Sequence, residues 1–366
     1  MTENSAEAAW SEQLAVEYDN LWSALQWAIT GGNPEQGLQL ALTLHAYWER
    51  RGHWQEGYAW FTRLLALPQT SPPTLVRARL LTKAGRFALR LVDAATAQRF
   101  YEESLAIARH WESVPDMVMA RIGLGDSQAD HAAAQLLYEE SLTVSRATGY
   151  QAGAASALTA LGHLASGAGQ HAKAEAFYQE ALATRRALGE RKAEPDLLRN
   201  LGILAFTQQA YGRAQEIYAA CLQMYKELGY KPGIAVLYND LADVALANGD
   251  YANARHLYGE SLGLAWEVGS KWDMAWNFES LGSIALLEEQ PERAAYLLGV
   301  AEALFQMLSA RLRPDDAAKH EQLVATLRTR LPEHGFTTNW QQGQTAPLQQ
   351  AVAYALTPFT FDPKLA

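Results

Sequence analysis

The stretch His171–Glu190, HAKAEAFYQEALATRRALGE, is answered forty residues on by Tyr211–Tyr230, YGRAQEIYAACLQMYKELGY, and again by Tyr251–Ser270, YANARHLYGESLGLAWEVGS. Each copy holds an alanine (Ala174, Ala214, Ala254), then a tyrosine (Tyr178, Tyr218, Tyr258), then a small side chain (Ala181, Cys221, Ser261), and closes on glycine (Gly189, Gly229, Gly269). The alanine, aromatic and small residue are spaced by four and three, so they share one helical face. Working outward, the aromatic slot holds Phe61, Tyr101, Tyr138, Tyr178, Tyr218 and Tyr258, then Leu298, with gaps of 40, 37, 40, 40, 40 and 40 residues. One globular core does not generate such a beat. A stack of near-identical helical hairpins does, because each hairpin touches only its neighbours.

The rest of the unit agrees. Gly149, Gly189, Gly229 and Gly269 recur at helix ends, where a left-handed C-cap costs least for a residue without Cβ. Upstream lies a second helix with Leu161-Gly162, Leu201-Gly202, Leu241-Ala242 and Leu281-Gly282. Small residues on both helices let two backbones approach closely while the aromatic fills the space beside them.

This combination resembles the tetratricopeptide repeat, with Leu-Gly in its first helix (A) and alanine, aromatic and alanine in its second (B). The family unit is about 34 residues, so these units are longer. The resemblance covers residues 35–305 and predicts an all-α fold: a right-handed α-solenoid of about seven extended hairpins with capping helices at both ends. The boundaries it suggests are a capping or linker helix over 1–33, the solenoid over 34–310, and capping helices with a tail over 311–366. The 37-residue unit departs from the pattern: Gly123, Gly125 and Asp126 crowd the helix spanning Met117–Ala129. They predict a short or frayed helix, through a loop deletion or a hinge.

Composition narrows the function. The 366 residues carry a formal charge of −10 and a pI near 5.4, which disfavours nucleic-acid binding by the bulk surface. The single cysteine, Cys221, sits in the small-residue column and reads as packing. No disulfide framework is possible within the chain, which fits a reducing, cytoplasmic setting. Residues 1–9 carry no basic or apolar leader, and no apolar run reaches membrane-spanning length.

The ends have their own character. Trp10, Trp22, Trp27, Trp48, Trp54 and Trp60 precede the regular units. Residues 7–29 read as an amphipathic helix stopped by Gly31-Gly32, and Asn33-Pro34 as a cap with proline at the first helical position. Large aromatics suit the open end of a stack. Three helices are predicted after the last unit, over Pro314–Leu331, Pro332–Gln341 and Pro347–Leu356, followed by an extended tail.

Glu17–Ala28 (EYDNLWSALQWA) with Leu44–His53 (LHAYWERRGH), and at the other end Leu297–Leu304 (LLGVAEAL), Trp340 and Gln349–Leu356 (QQAVAYAL), resemble the segments that bracket the repeats in bacterial signalling ATPases of the LuxR/MalT and AfsR type. In that family a nucleotide-binding domain precedes the repeats and an effector module lies elsewhere in the polypeptide. This chain has no G-x-x-x-x-G-K-[ST] phosphate loop and no helix-turn-helix after Leu356. The resemblance therefore implies the sensor portion, which receives a peptide, protein or small-molecule inducer and relieves inhibition of an ATPase domain in the same polypeptide or complex. A free-standing adaptor, as in extended-repeat proteins related to kinesin light chains, is the alternative.

Catalysis is not expected. The nine histidines are scattered, and none forms H-x-x-x-H or H-E-x-x-H. No cofactor or metal is expected either. Glu102-Glu103 and Glu139-Glu140 read as solvated helix faces.

In tetratricopeptide repeats the groove is lined by helix A, at five, two and one residues before the Leu of Leu-Gly and two after it. Carried over, these are Ser156, Thr159, Ala160 and His163; Asp196, Arg199, Asn200 and Ile203; Val236, Asn239, Asp240 and Asp243; and Trp276, Glu279, Ser280 and Ser283. Arg199, Asn200 and Asn239 suit clamping of a peptide backbone or carboxylate. Trp276 and Ile203 on a wet face would want a ligand to cover them. In the second unit Arg79, Lys83, Arg86 and Arg90 are spaced by 4, 3 and 4, one stripe in the same register. Four like charges on one face call for neutralisation, by an anionic ligand or acidic partner, or by neighbouring Glu and Asp.

Overall fold

In the computed structural model, residues 16–51, 53–91, 93–308, 312 and 314–357 are described. The expected helical stretch 7–15 with Trp10, and the tail after Thr357, lie outside them. Among the described residues there are 18 α-helices and no strand. The chain divides into two compact units, Met1–Tyr230 and Lys231–Ala366.

The first unit holds α1 (Tyr18–Thr30), α2 (Pro34–Arg51), α3 (Trp54–Leu65), α4 (Leu75–Leu91), α5 (Ala94–His110), α6 (Val114–Asp126), α7 (His131–Thr148), α8 (Gln151–Gly167), α9 (His171–Ala187), α10 (Glu194–Thr207) and α11 (Tyr211–Glu227). From α2 onward, consecutive helices pair as A and B, giving five hairpins. Helices α2, α4, α6 and α8 also touch in succession, so the A helices form one wall and the B helices lie behind it. The second unit holds α12 (Lys231–Ala247), α13 (Tyr251–Val268), α14 (Lys271–Leu287), α15 (Pro291–Met307), α16 (Pro314–Arg330), α17 (Glu333–Thr345) and α18 (Leu348–Leu356). Its first four helices make two more hairpins, seven in all.

The slot that sets the sequence period is the centre of each hairpin. Phe61, Tyr101, Tyr138, Tyr178, Tyr218, Tyr258 and Leu298 are all at most 5% exposed. Gly149, Gly189, Gly229 and Gly269 take φ of 72°, 71°, 62° and 73°, closing the B helices in the left-handed region as expected. A second left-handed column ends the A helices at Gly169, Gln209, Gly249 and Glu289, and there two of the four residues carry a side chain.

Helix α6 is short, at 13 residues, but it is a closed helix ending on Ser127. Its glycines are contact points rather than weak points. A Cβ on Gly123 would lie 2.2 Å from the Tyr101 ring, and one on Gly125 2.3 Å from the Tyr138 ring. Two aromatic slots press on this one helix, and only glycine admits both.

At the start of the first unit, Trp48 and Phe61 are fully buried, with ring centroids 5.5 Å apart. Trp22 of α1 meets Trp60 edge-on at 5.6 Å. Trp54 and Trp60 are buried in the first hairpin as well, whereas Trp22 and Trp27 stay 45% and 58% exposed. In the second unit α17 packs on α15 so closely that a Cβ on Gly299 would lie 2.4 Å from the Trp340 carbonyl oxygen. Helix α18 rests on α13 and α15, and the Arg293 guanidinium donates to the Tyr354, Ala355 and Thr357 carbonyls at 2.9, 3.1 and 3.2 Å.

Candidate functional site

The groove-register positions of the first unit lie on the wall of A helices. The basic stripe occupies α4, and its charges are met by the helices on either side. Arg79 makes a bidentate pair with Asp116 of α6, at 3.0 and 3.2 Å, and Asp116 also accepts from the Ser113 hydroxyl at 2.7 Å. Arg86 reaches back to Glu49 of α2 at 2.7 Å, yet its side chain stays 64% exposed. The Arg90 guanidinium lies 3.4 Å above the Trp54 ring centroid. Lys83 is half-buried among these groups. Burial, then Arg86, holds its ammonium below the usual lysine range, against the pull of Glu49. His45 of α2 is likewise held below the ordinary imidazole value, by burial and then by Lys83.

In three hairpins the residue two past the leucine of the Leu-Gly or Leu-Ala pair is a partner for the slot tyrosine. Asp126 accepts from the Tyr138 hydroxyl at 2.7 Å, and in the second unit Asp243 accepts from the Tyr258 hydroxyl. His163, in the same position of α8, meets the Tyr178 ring edge-on at 5.6 Å. Burial pushes the Asp126 carboxyl up, opposed by the Tyr138 hydrogen bond, His163 and Arg86. Burial also disfavours the His163 imidazolium, opposed by a hydrogen bond to the Asn200 side chain and by Asp126. Asp126, His163 and Asn200 therefore form a polar line from α6 through α8 to α10, where Arg199 lies half-buried beside Asn200.

In the second unit the Asn239 side-chain amide oxygen is buried with no hydrogen-bond partner among the described residues. Trp276 and Glu279, which the sequence places on an open wall, are covered by the chain itself. Trp276 packs edge-on against Phe305 and Trp272, with centroids 5.1 and 5.7 Å away. Glu279 accepts from His320 Nδ1 of α16 at 2.7 Å, and both residues are buried. The physical reason is the amphipathic character of α16, whose Leu327 and Leu331 join the same core. The sequence shows α16 as a helix but not where it lands.

Other engaged groups were not legible in the repeat pattern. Arg77 is buried and donates to the Leu65 and Thr70 carbonyls at 3.0 and 2.9 Å and to Glu103 at 2.8 Å. It ties the loop after α3 to α4 and α5, and Glu103 is its counter-ion rather than a purely solvated charge. Arg121 is buried and pairs with Glu140 at 3.4 Å. Cys221 is fully buried beside the Pro195 carbonyl, at 3.6 Å. Among the described residues no group of three or more His, Cys, Asp or Glu side chains is placed to hold a metal ion. No described helix is long and apolar enough to cross a membrane.

Family models described as tetratricopeptide repeat match residues 154–191 and 193–267. No curated protein matches the sequence. Among solved structures, aspartyl phosphate phosphatase F from Bacillus subtilis aligns with a TM-score of 0.54 at 12% identity, covering 78% of this chain and 76% of that one. A Rap protein complexed with competence and sporulation factor aligns at 0.53 and 12% identity, covering 91% and 99%. BtubC (BKLC) from P. vanneervenii aligns at 0.50 and 20% identity, covering 60% and 92%. At these identities the likeness is one of fold. Pattern, hairpin geometry and family match converge on residues 154–267: they match the tetratricopeptide repeat, an architecture that serves protein binding, and the hairpins before and after them continue the same all-α repeat arrangement.

Proposed function

We propose that this chain is the partner-binding sensor module of a signalling ATPase or transcriptional regulator, taking a peptide, protein or small-molecule inducer on the wall of A helices. The observation that carries the reading is the continuous polar line of the first unit. Lys83 and Arg86 on α4, Asp126 on α6, His163 on α8 and Asn200 on α10 follow one another on adjoining helices. Such a row offers both charge and hydrogen bonds to an extended ligand. The resemblance of Glu17–Ala28 and of Gln349–Leu356 to the flanks of such sensors supports the regulatory setting, with a nucleotide-binding domain in the same polypeptide or complex.

At the Arg86 end the wall favours an acidic ligand. Arg86 keeps most of its surface in water, and an arriving carboxylate would relieve the crowding of Lys83 by Arg86. The test is selection of displayed peptides against the protein and against a Lys83→Glu/Arg86→Glu variant. Enrichment of acidic peptides that is lost in the variant is the expected result. Equal capture by both would remove the basic end from the site. If the protein instead joins two unrelated proteins and no ATPase associates with it, the adaptor reading replaces the sensor.

A further inference from the structure

Helix α16 does something the repeat pattern does not require. It lies on α14, α15 and α17 of the second unit, over Glu279, a position of α14 in groove register, and beside Phe305 of α15, on which Trp276 packs. At its centre is a buried ionic cluster drawn from three helices. His320 Nδ1 is 2.7 Å from Glu279 Oε2 of α14, and His320 Nε2 is 3.4 Å from Glu302 Oε2 of α15. Glu321, next to it on α16, adds a third negative field. The remaining faces of the ring are apolar and aromatic, with Phe305 of α15 edge-on at 6.2 Å and Trp340 of α17 at 6.4 Å.

The chemistry of imidazole makes this cluster depend on one proton. A protonated ring has two N–H donors and serves both carboxylates. A neutral ring has one, so a lone pair must face either Glu279 or Glu302. The Nδ1–H tautomer keeps the donor to Glu279 and turns the lone pair to Glu302, so what deprotonation removes is the positive charge beside Glu279, whose side chain is only 9% exposed. Leu327, fully buried, together with Leu331, Leu323 and Val324, supplies the rest of the hold.

We propose that α16 is a reversible lid over the partner-binding wall of the last repeat, held shut by the His320 imidazolium between Glu279 and Glu302 and loosened when that ring loses its proton. Opening it uncovers Phe305 and Glu279 for a partner. The partner half of the idea rests on the groove function proposed above; the lid itself does not.

The sign follows from the environment. The hydrogen bond to Glu279, followed by the fields of Glu279 and Glu302, raises His320 above its ordinary 6.5 in spite of burial. The lid is therefore at full strength below about pH 6.5 and weakens as pH rises through the raised value. Hydrogen exchange of the full chain, read by mass spectrometry and corrected for the intrinsic pH dependence of exchange, measures this without any partner. Between the two values, protection of α16 amides is expected to fall by about tenfold per pH unit, while α13 keeps its protection. A His320→Gln variant should show low, pH-independent protection in α16. Should that variant fail to fold, the wild-type series decides alone. Protection in α16 that is flat from pH 5.5 to 9, or that falls together with α13, would overturn the lid. A wall that captures no peptide even with α16 released refutes the groove reading instead, so the two failures are distinct.

Discussion

Gly162 lies under the ring of Tyr178: a Cβ at Gly162 would come within 2.4 Å of Tyr178 Cε1. Gly202 stands in the same relation to Tyr218, also at 2.4 Å, and Gly85 to Tyr101 at 2.8 Å. The contact joins the A helix of each hairpin to its own B helix, and it accounts for both recurring residue types at once.

Adding the missing methyl should break it. Alanine improves intrinsic helix propensity by about 0.5–1 kcal/mol, but the ring has nowhere to go. Gly162→Ala is expected to destabilise by about 1–3 kcal/mol, and Tyr178→Ala by about 3–5 kcal/mol. In the Tyr178→Ala background the added methyl should be tolerated. Urea melts of the four proteins give the coupling, and additive losses would mean that the two residues do not meet.

Gln209 holds φ of 60° where Gly169 and Gly249 hold the same position in neighbouring hairpins. The left-handed region costs a side-chain-bearing residue roughly 1 kcal/mol. Gln209→Gly should raise stability by about that amount, and Gly249→Ala should lower it. Thermal melts that move the other way would contradict the backbone geometry.

Arg77, itself buried, donates to two carbonyls, those of Leu65 and Thr70, in the loop between the first and second hairpins. Thr70 is itself fixed by its hydroxyl donating to the Leu64 carbonyl at 2.6 Å. Arg77→Ala should cost at least about 2 kcal/mol and leave this loop open to limited proteolysis. Glu103→Gln, which keeps an acceptor for Arg77, should cost less. Unchanged cleavage of Arg77→Ala would show that the loop is held otherwise.

Asp126 carries a carboxyl raised above the ordinary 3.8, with burial as the leading cause. A raised folded value favours the protonated form in the native state, so this group's contribution is present below 3.8 and lost as pH climbs through the raised value. Asp126→Asn keeps an acceptor for the Tyr138 hydroxyl without the charge. The variant should therefore gain on the wild type as pH rises from 3 to 7. Parallel stability curves across that range would show that the site is better solvated than its surroundings indicate.

Much of the fold was legible because it repeats locally. Four-residue and three-residue spacings placed Ala174, Tyr178 and Ala181 on one face, and glycine at Gly189 marked the stop. Helix α6 was only half legible. Its glycines signal weakness when read by propensity alone, and their use appears once Tyr101 and Tyr138 are seen from both sides. The basic stripe was legible as a stripe, but its counter-charges were not. Asp116 lies 37 residues from Arg79, and Glu49 lies on a different hairpin from Arg86. His320 meets Glu279 across 41 residues, outside any repeat relation.

What the chain determines by itself is everything governed by helical period and by the size of one side chain: seven hairpins, the closing glycines of four and the large residue at the centre of each, tyrosine in five. Those depend on contacts between neighbours in sequence, which recur as often as the pattern does. Only the tertiary structure decided which charges find each other and which part of the inner wall is covered. Ion pairs and the landing place of α16 depend on distances between hairpins, set by the packing of whole helices and carrying no period in the sequence.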